Sequence, residues 1–195
     1  VAFNHTKAFE REVVRFVAQL LRAPGANWWG YVTTGATEGT LYALQLARAV
    51  HPTGLVYTTR AAHYCVDKAV ELLGMRSVPV RADAGGEIDY KDLASQVHKN
   101  RARPAIVVAN IGTTMTEAVD DVRRINQVLD ATGIRRRFVH ADAALAGIPL
   151  ALLPPDDRPG FDFADGADAI IVSGHKFFGS PIPSGVVVVK ASHRL

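Results

Sequence analysis

The sequence predicts an α/β fold: a seven-stranded, mostly parallel sheet covered by helices on both faces. Three observations carry this. Short apolar runs alternate with helix-period segments through most of the 195 residues, the pattern of strands joined by crossover helices. The runs Ile106-Val107-Val108 and Val186-Val187-Val188-Val189 are continuously apolar, as strands buried on both faces are. Only about a dozen residues separate the last two strands, too few for a crossover helix, so Gly185–Val189 is a candidate antiparallel strand.

In order, Phe9, Val13, Phe16 and Leu20 recur at helical spacing and predict an amphipathic helix over about residues 5–22, ended by Pro24-Gly25. Trp29–Thr33 reads as a strand, followed by the turn Thr34-Gly35-Ala36-Thr37-Glu38-Gly39-Thr40 and a helix marked by Leu41, Leu44 and Ala47. Leu55–Thr59 is a strand, His63–Leu73 a helix with Val66, Val70 and Leu73 inward, and Arg76–Val80 a strand. Ala84-Gly85-Gly86 turns the chain into a helix over Asp89–Lys99, with Leu93 and Val97 inside. Ala105–Ala109 is a strand running into Asn110-Ile111-Gly112-Thr113-Thr114. Val122, Ile125 and Leu129 mark a helix closed by Gly133. Phe138–Ala141 is a strand ending at Asp142, residues 150–167 form a long loop, and Ala169–Val172 and Gly185–Val189 are the last strands. One domain spanning 1–195 is expected at this length.

Composition excludes several function classes. The formal charge is +3, and the only dense basic run, Arg135-Arg136-Arg137, directly precedes a strand, which fits a solvated loop rather than a nucleic-acid surface. No apolar run reaches membrane-spanning length, and the N-terminus has no secretion signal. The lone Cys65 rules out an internal disulfide and fits a reducing cytoplasm. The chain opens on Val1-Ala2-Phe3-Asn4 without an initiator methionine, as a fragment would.

In open α/β sheets, ligands bind beyond the carboxyl ends of the strands. Those ends carry Gly35-Ala36-Thr37, His63, Thr113-Thr114, His140 with Asp142, and Ser173 with His175 and Lys176. Gly35-Ala36-Thr37 lies between a strand and a helix N-terminus, where backbone N–H groups attract an anion; a plain strand-to-helix turn explains the same residues. The turn lacks the spacing of a nucleotide loop. His140 and Asp142 share a strand face, but further ligands are not evident, so no metal site is predicted. Ser173 stands outside the elbow motif of serine hydrolases. A carboxylate buried at Asp142 requires a cationic partner, and a lysine just past a buried strand is positioned for carbonyl chemistry. One ligand accounts for all five ends: pyridoxal 5'-phosphate, with a phosphate for the Gly35–Thr37 turn, a ring face for His63, a basic nitrogen for Asp142 and an aldehyde for Lys176.

The same segments carry a resemblance. Thr34-Gly35-Ala36-Thr37-Glu38-Gly39, Ala62-His63-Tyr64, Asn110-Ile111-Gly112-Thr113-Thr114, His140-Ala141-Asp142-Ala143-Ala144-Leu145-Ala146-Gly147 and Ser173-Gly174-His175-Lys176 occur in this order and resemble the pyridoxal-phosphate-dependent group II amino-acid decarboxylases. Phe161-Asp162-Phe163-Ala164-Asp165-Gly166 and Gly179-Ser180-Pro181-Ile182-Pro183-Ser184-Gly185 most resemble the bacterial histidine decarboxylase branch, which lies near serine and valine decarboxylases.

The resemblance implies the aspartate-aminotransferase-like large domain of fold type I, a homodimer, and decarboxylation of an L-amino acid, with histidine favoured and valine or serine open. It implies that Lys176 binds the cofactor's aldehyde, Asp142 pairs with its ring nitrogen and His63 stacks on its ring. Ala36, Thr37, Ser173 and His175 would surround the phosphate, and Thr113 would lie near the ring's edge. It also implies that an N-terminal segment and a C-terminal small domain lie outside this chain. Glu117 stands where relatives usually have glycine, which puts the shape of its loop in doubt. Another pyridoxal-phosphate lyase, an aminotransferase, or a non-catalytic cofactor-binding module are the alternatives.

Overall fold

A computed structural model describes residues 6–193. Its elements are α1 (Lys7–Leu20), β1 (Trp28–Thr33), α2 (Ala36–Val50), β2 (Leu55–Thr59), α3 (Cys65–Leu72), β3 (Arg76–Val80), α4 (Tyr90–Lys99), β4 (Ala105–Asn110), α5 (Val122–Ala131), β5 (Arg137–Asp142), α6 (Gly147–Ala151), β6 (Ala169–Ser173) and β7 (Gly185–Lys190). The strands form one sheet in the order β1-β7-β6-β5-β4-β2-β3. Strands β2 to β6 pair in parallel, whereas β7 runs antiparallel to both β6 and β1. The short connection between β6 and β7 thus has the consequence expected of it. Lys190 extends β7 by one residue, pairing with Trp28.

Helices cover both faces. Val14, Val17, Leu93, Val97, Val122, Ile125 and Leu129 bury one side of the sheet with Val107, Val139 and Val188. Leu44, Ala47, Val66 and Val70 bury the other with Ile106, Val108, Ile171 and Val187. The central strands β2, β4 and β6 are buried at every position, which is why their sequences show no polar alternation.

Four expectations need correction. The face of α1 that meets the sheet is Val14, Val17 and Ala18, continued by Leu21, not the stripe Phe9–Val13–Phe16, whose members are exposed at 69%, 45% and 53%. This helix has two apolar stripes, and periodicity alone does not rank them. Its expected start at residue 5 lies outside the described residues. The expected helix at His63 begins at Cys65 because His63 Nδ1 accepts the Cys65 N–H at 3.3 Å, a side-chain bond at the helix entrance. Asp89 is the N-cap of α4 rather than its first residue, accepting from the backbone N–H groups of Lys91 and Asp92. The expected loop over 150–167 holds the end of α6 and two 3-10 turns, Pro155–Asp157 and Phe163–Asp165.

The Phe161–Gly166 segment has a structural role. Asp162, fully buried, accepts from Arg22 Nε at 2.6 Å, and Arg22 also reaches Asp165 at 2.8 Å. Asp162 and Asp165 cap their own 3-10 turn reciprocally. The arginine therefore ties the end of α1 to the segment leading into β6.

Candidate active site

The carboxyl ends of β2, β4, β5 and β6 open into a cleft of about 330 Å³, within the range of cofactor and small-ligand sites. It brings together every residue singled out at the strand ends except His140: Ala36, Thr37, His63, Thr113, Asp142, Ser173, His175 and Lys176.

One end of the cleft is built for an anion. Helix α2 starts immediately after β1, with Gly35 at its N-cap in a positive-φ conformation of 152° that side chains rarely adopt. No side chain caps this helix, so its first N–H groups, those of Ala36 and Thr37 among them, face the cleft side of the turn without a side-chain acceptor. Glu38 folds back instead, accepting from both the backbone N–H and the hydroxyl of Thr34 at 2.7 Å. The Thr34 backbone bond chiefly holds its carboxyl below the ordinary value. Ser173, the last residue of β6, is 1% exposed and its Oγ has no hydrogen-bond partner among the described residues. An orphaned hydroxyl facing a cleft asks for a ligand atom. The ring of His175 is fixed by the chain before β7: its Nδ1 lies 3.1 Å from the Ser184 nitrogen and 2.9 Å from the Ser184 oxygen.

The other end is built for a cation. Asp142 closes β5 at 9% exposure. Its Oδ1 accepts the Ala144 N–H at 3.3 Å, and no Lys, Arg or His among the described residues forms an ion pair with it. A carboxylate so placed is stabilised by a positive group arriving from the cleft. Lys176 is exposed on the cleft wall, with no hydrogen bond or ion pair among the described residues. His63 is also exposed. Its Nδ1 acts as an acceptor toward Cys65, so the neutral ring carries its proton on Nε2. An oxyanion, a protonated ring nitrogen and a carbonyl carbon each find a complementary group here, as pyridoxal phosphate requires.

His140 takes no part in the cleft lining. It is completely buried, with Nδ1 3.3 Å from the Ala169 carbonyl oxygen and Nε2 3.5 Å from Thr40 Oγ1, and burial pushes its pKa down. Among the described residues no group of three or more His, Cys, Asp or Glu side chains is arranged to hold a metal ion. Thr113 lines the cleft, but its hydroxyl is committed to the loop, 2.7 Å from Thr116 Oγ1 and accepting the Ala118 N–H at 3.1 Å. Glu117, in that same loop, has φ of +56°, the left-handed conformation for which glycine is the usual residue.

Sequence reasoning missed Asn110, Cys65 and Glu38 as lining residues. Ending the fourth strand at Ala109 left Asn110 in a loop, whereas it is the last residue of β4 and subject to the same carboxyl-end rule. Its amide donates to Thr59 Oγ1 and to Asp120. Asp120 is buried and also accepts the backbone N–H groups of Ile88 and Asn110, both at 2.7 Å, so it joins the end of β4 to the approach to α4. Cys65 at the start of α3 is buried, which with the nearby Asp142 charge pushes its thiol up to about 11.

Comparison with known proteins agrees with this chemistry. A family model described as the pyridoxal-dependent decarboxylase conserved domain matches residues 5–195. A histidine decarboxylase from Mesorhizobium japonicum is 51% identical over 191 residues, covering 98% of this chain and 50% of the relative. One from Morganella morganii is 46% identical over 184 residues, covering 93% and 48%. The chain thus spans about half the length of the curated relatives it matches. Among solved structures, L-methionine decarboxylase from Streptomyces sp. 590 superimposes with a TM-score of 0.85 at 24% identity, over 100% of this chain and 58% of that one. A sphingosine-1-phosphate lyase from Burkholderia pseudomallei does so with a TM-score of 0.83 at 24% identity, over 97% and 46%. These two likenesses are of fold.

Proposed function

Because this chain belongs to the pyridoxal-dependent decarboxylase family, we propose that residues 1–195 are the cofactor-binding large domain of a longer enzyme that decarboxylates an L-amino acid. Histidine is the favoured substrate, supported by relatives at 44–51% identity that are histidine decarboxylases; valine and serine are the competitors. The observation that carries the reading is the pairing of a nearly buried, cation-less Asp142 with an unengaged Lys176 in one cleft.

The cofactor is pyridoxal 5'-phosphate. Lys176 would hold its aldehyde carbon, and Asp142 its ring nitrogen. The Ala36 and Thr37 N–H groups, the Ser173 hydroxyl and His175 would hold its phosphate. When bound, the cofactor supplies an electron sink for the pair released as the bond from Cα to the carboxylate breaks. Asp142 serves that sink by keeping a proton on the ring nitrogen, since a carboxylate in a poorly solvated site favours its cationic partner. His63 would cover the ring face, with Nε2–H available as a donor. Thr113 lines the cleft and would lie near the ring's edge. Helix α2 would orient the phosphate through its N-terminal dipole.

The exposed aromatic surface beside the site supports a homodimer. Phe16 and Phe178 approach to 6.4 Å, Phe177 and Phe178 to 6.2 Å, and Phe9, Val13 and Ile182 are exposed as well. The buried free thiol of Cys65 supports a reducing, cytoplasmic setting. Among the described residues no helix is long and apolar enough to cross a membrane.

Product analysis of the full-length protein tests the reaction. Amine and CO2 are expected from histidine; a keto acid or aldehyde would indicate transamination or carbon–carbon lysis instead. Lys176→Ala should abolish turnover and the absorbance of lysine-bound cofactor, whereas Asp142→Ala should retain some cofactor and lose about 100-fold or more in turnover. Turnover in Lys176→Ala would sink the assignment.

A further inference from the structure

The end of the sheet opposite the cleft carries a feature that decarboxylation does not use. The loops entering β4 and β5, at the amino ends of those strands, converge on a small cavity of about 140 Å³ lined by Arg101, Arg103, Gly133, Ile134, Arg135 and Arg136. In sequence, Arg135-Arg136-Arg137 looks like an ordinary basic loop. The fold brings Arg101 and Arg103 to it from more than thirty positions away, with Arg136 donating to the Ala102 carbonyl at 3.0 Å across the two loops.

Charge accumulates here without matching counter-charge. Among the described residues Asp130 is the one carboxylate paired with the group, shared by Arg135 at 3.3 Å and Arg137 at 2.7 Å. Five arginines against one aspartate leave a local excess of four positive charges, more than the formal +3 of the whole chain. Helix capping does not explain them. Arg103 donates to the Thr53 carbonyl and Arg136 to that of Ala102, and neither acceptor is a last-turn carbonyl of α4 or α5. Each of the four cavity arginines has five N–H donors, and one donor or one ring contact per side chain accounts for its bonding within the chain. These four arginines line a concavity whose volume falls below the range of drug-sized pockets and suits a compact ion. No aromatic side chain lines it, so stacking on a nucleobase has no platform here.

We propose that this cavity is a second anion site, distinct from the cofactor's, which takes a compact, multiply charged oxyanion of the phosphate class, free or as the phosphate end of a small metabolite. Guanidinium forks bind such oxygens with paired hydrogen bonds. The two loops tethered by Arg136 supply forks from both sides.

The test uses full-length holoenzyme with the cofactor fixed to Lys176 by borohydride, so that the cofactor's phosphate site is blocked. Inorganic pyrophosphate is titrated calorimetrically at about 0.15 M salt. One saturable site per chain is expected. Its affinity should fall about tenfold in Arg101→Gln, as loss of a charge-assisted bond implies. It should fall about threefold in Arg135→Gln, which is 83% exposed and reaches only Asp130, so the fold is not at risk. Adenosine diphosphate binding no tighter than pyrophosphate would assign recognition to the anion alone, and tighter binding would assign it to a metabolite bearing it. No saturable binding at millimolar pyrophosphate, or binding unchanged in both variants, overturns the proposal. Because the readout is binding to a blocked enzyme, failure here leaves the decarboxylase reading standing.

Discussion

A methyl group added at Gly39 has to share space with Ile171. Built on the backbone of α2, it would lie 2.2 Å from Ile171 Cδ1 and 2.7 Å from Cγ1, against 3.4 Å or more for ordinary contact. Helix and strand must therefore part by about 1.2 Å, or the fully buried Ile171 side chain must leave its rotamer. Overpacking of this kind costs about 1–3 kcal/mol, offset by about 1 kcal/mol from replacing glycine in a helix interior. Gly39→Ala should then destabilise the protein by up to about 2 kcal/mol. It should also weaken cofactor binding several-fold, because Gly39 sits one turn from the helix N-terminus that faces the cleft. The decisive background is Ile171→Ala, which removes both crowding atoms and leaves only Cβ, at 3.4 Å. There the propensity term stands alone, and Gly39→Ala should stabilise by up to about 1 kcal/mol. Urea unfolding of the four proteins of this cycle, with cofactor titration by absorbance, measures both effects. The same sign for Gly39→Ala in both backgrounds would refute the packing argument.

Three further substitutions probe other parts of the fold. Burial pushes the Asp120 carboxyl up to about 6, against about 4 in an unfolded chain, so its stabilising proton is fully held below pH 4 and lost as pH rises through 6. The gap corresponds to about 3 kcal/mol; Asp120→Asn should remove that slope from urea midpoints measured between pH 4 and 7, and an unchanged slope would exclude Asp120 as its source. Glu117→Gly should stabilise by about 1 kcal/mol through relief of the left-handed backbone at φ +56°, an effect read as a raised melting temperature. Arg22→Ala leaves the buried Asp162 without its nearest cation; since Arg22 is itself 43% exposed, the loss is expected near 2 kcal/mol rather than the 3–5 of a fully buried pair, and a neutral result in urea melts would make the pair incidental.

The strand order could not be read from periodicity, but the strands could, and so could most of the site. Continuous runs such as Ile106-Val107-Val108 read as strands because they are buried on both faces. The cleft followed from one rule, that ligands sit at strand carboxyl ends, applied to His63, Asp142, Ser173 and Lys176. That rule failed at Asn110 only because the strand end was set one residue early. What escaped the sequence depends on neighbours distant along the chain. The exposed Phe9–Phe16 stripe and the buried Val14–Ala18 face have the same helical period, and which one is covered depends on how α1 lies against β1 and β7. Asp120 reads as one of two adjacent aspartates before a helix; only the fold shows it receiving N–H groups from Ile88 and Asn110. Arg101 and Arg135 are unremarkable apart and significant together.

The antiparallel β7 has a consequence for how this chain is made. Thr33 in β1 pairs with Gly185, 152 positions later, and among the described residues β1 has no other partner strand. At about 5–20 residues per second of synthesis, β1 waits for roughly 8–30 seconds for the strand that pairs its backbone edge, while helices form in microseconds. Gly185 is also the residue that closes over Gly35, where even a β-carbon would come within 3.2 Å of the Gly35 backbone. The turn at Gly35 is thus completed only once β7 has emerged. The sensitive interval for aggregation or chaperone rescue therefore falls between the emergence of β1 and that of β7.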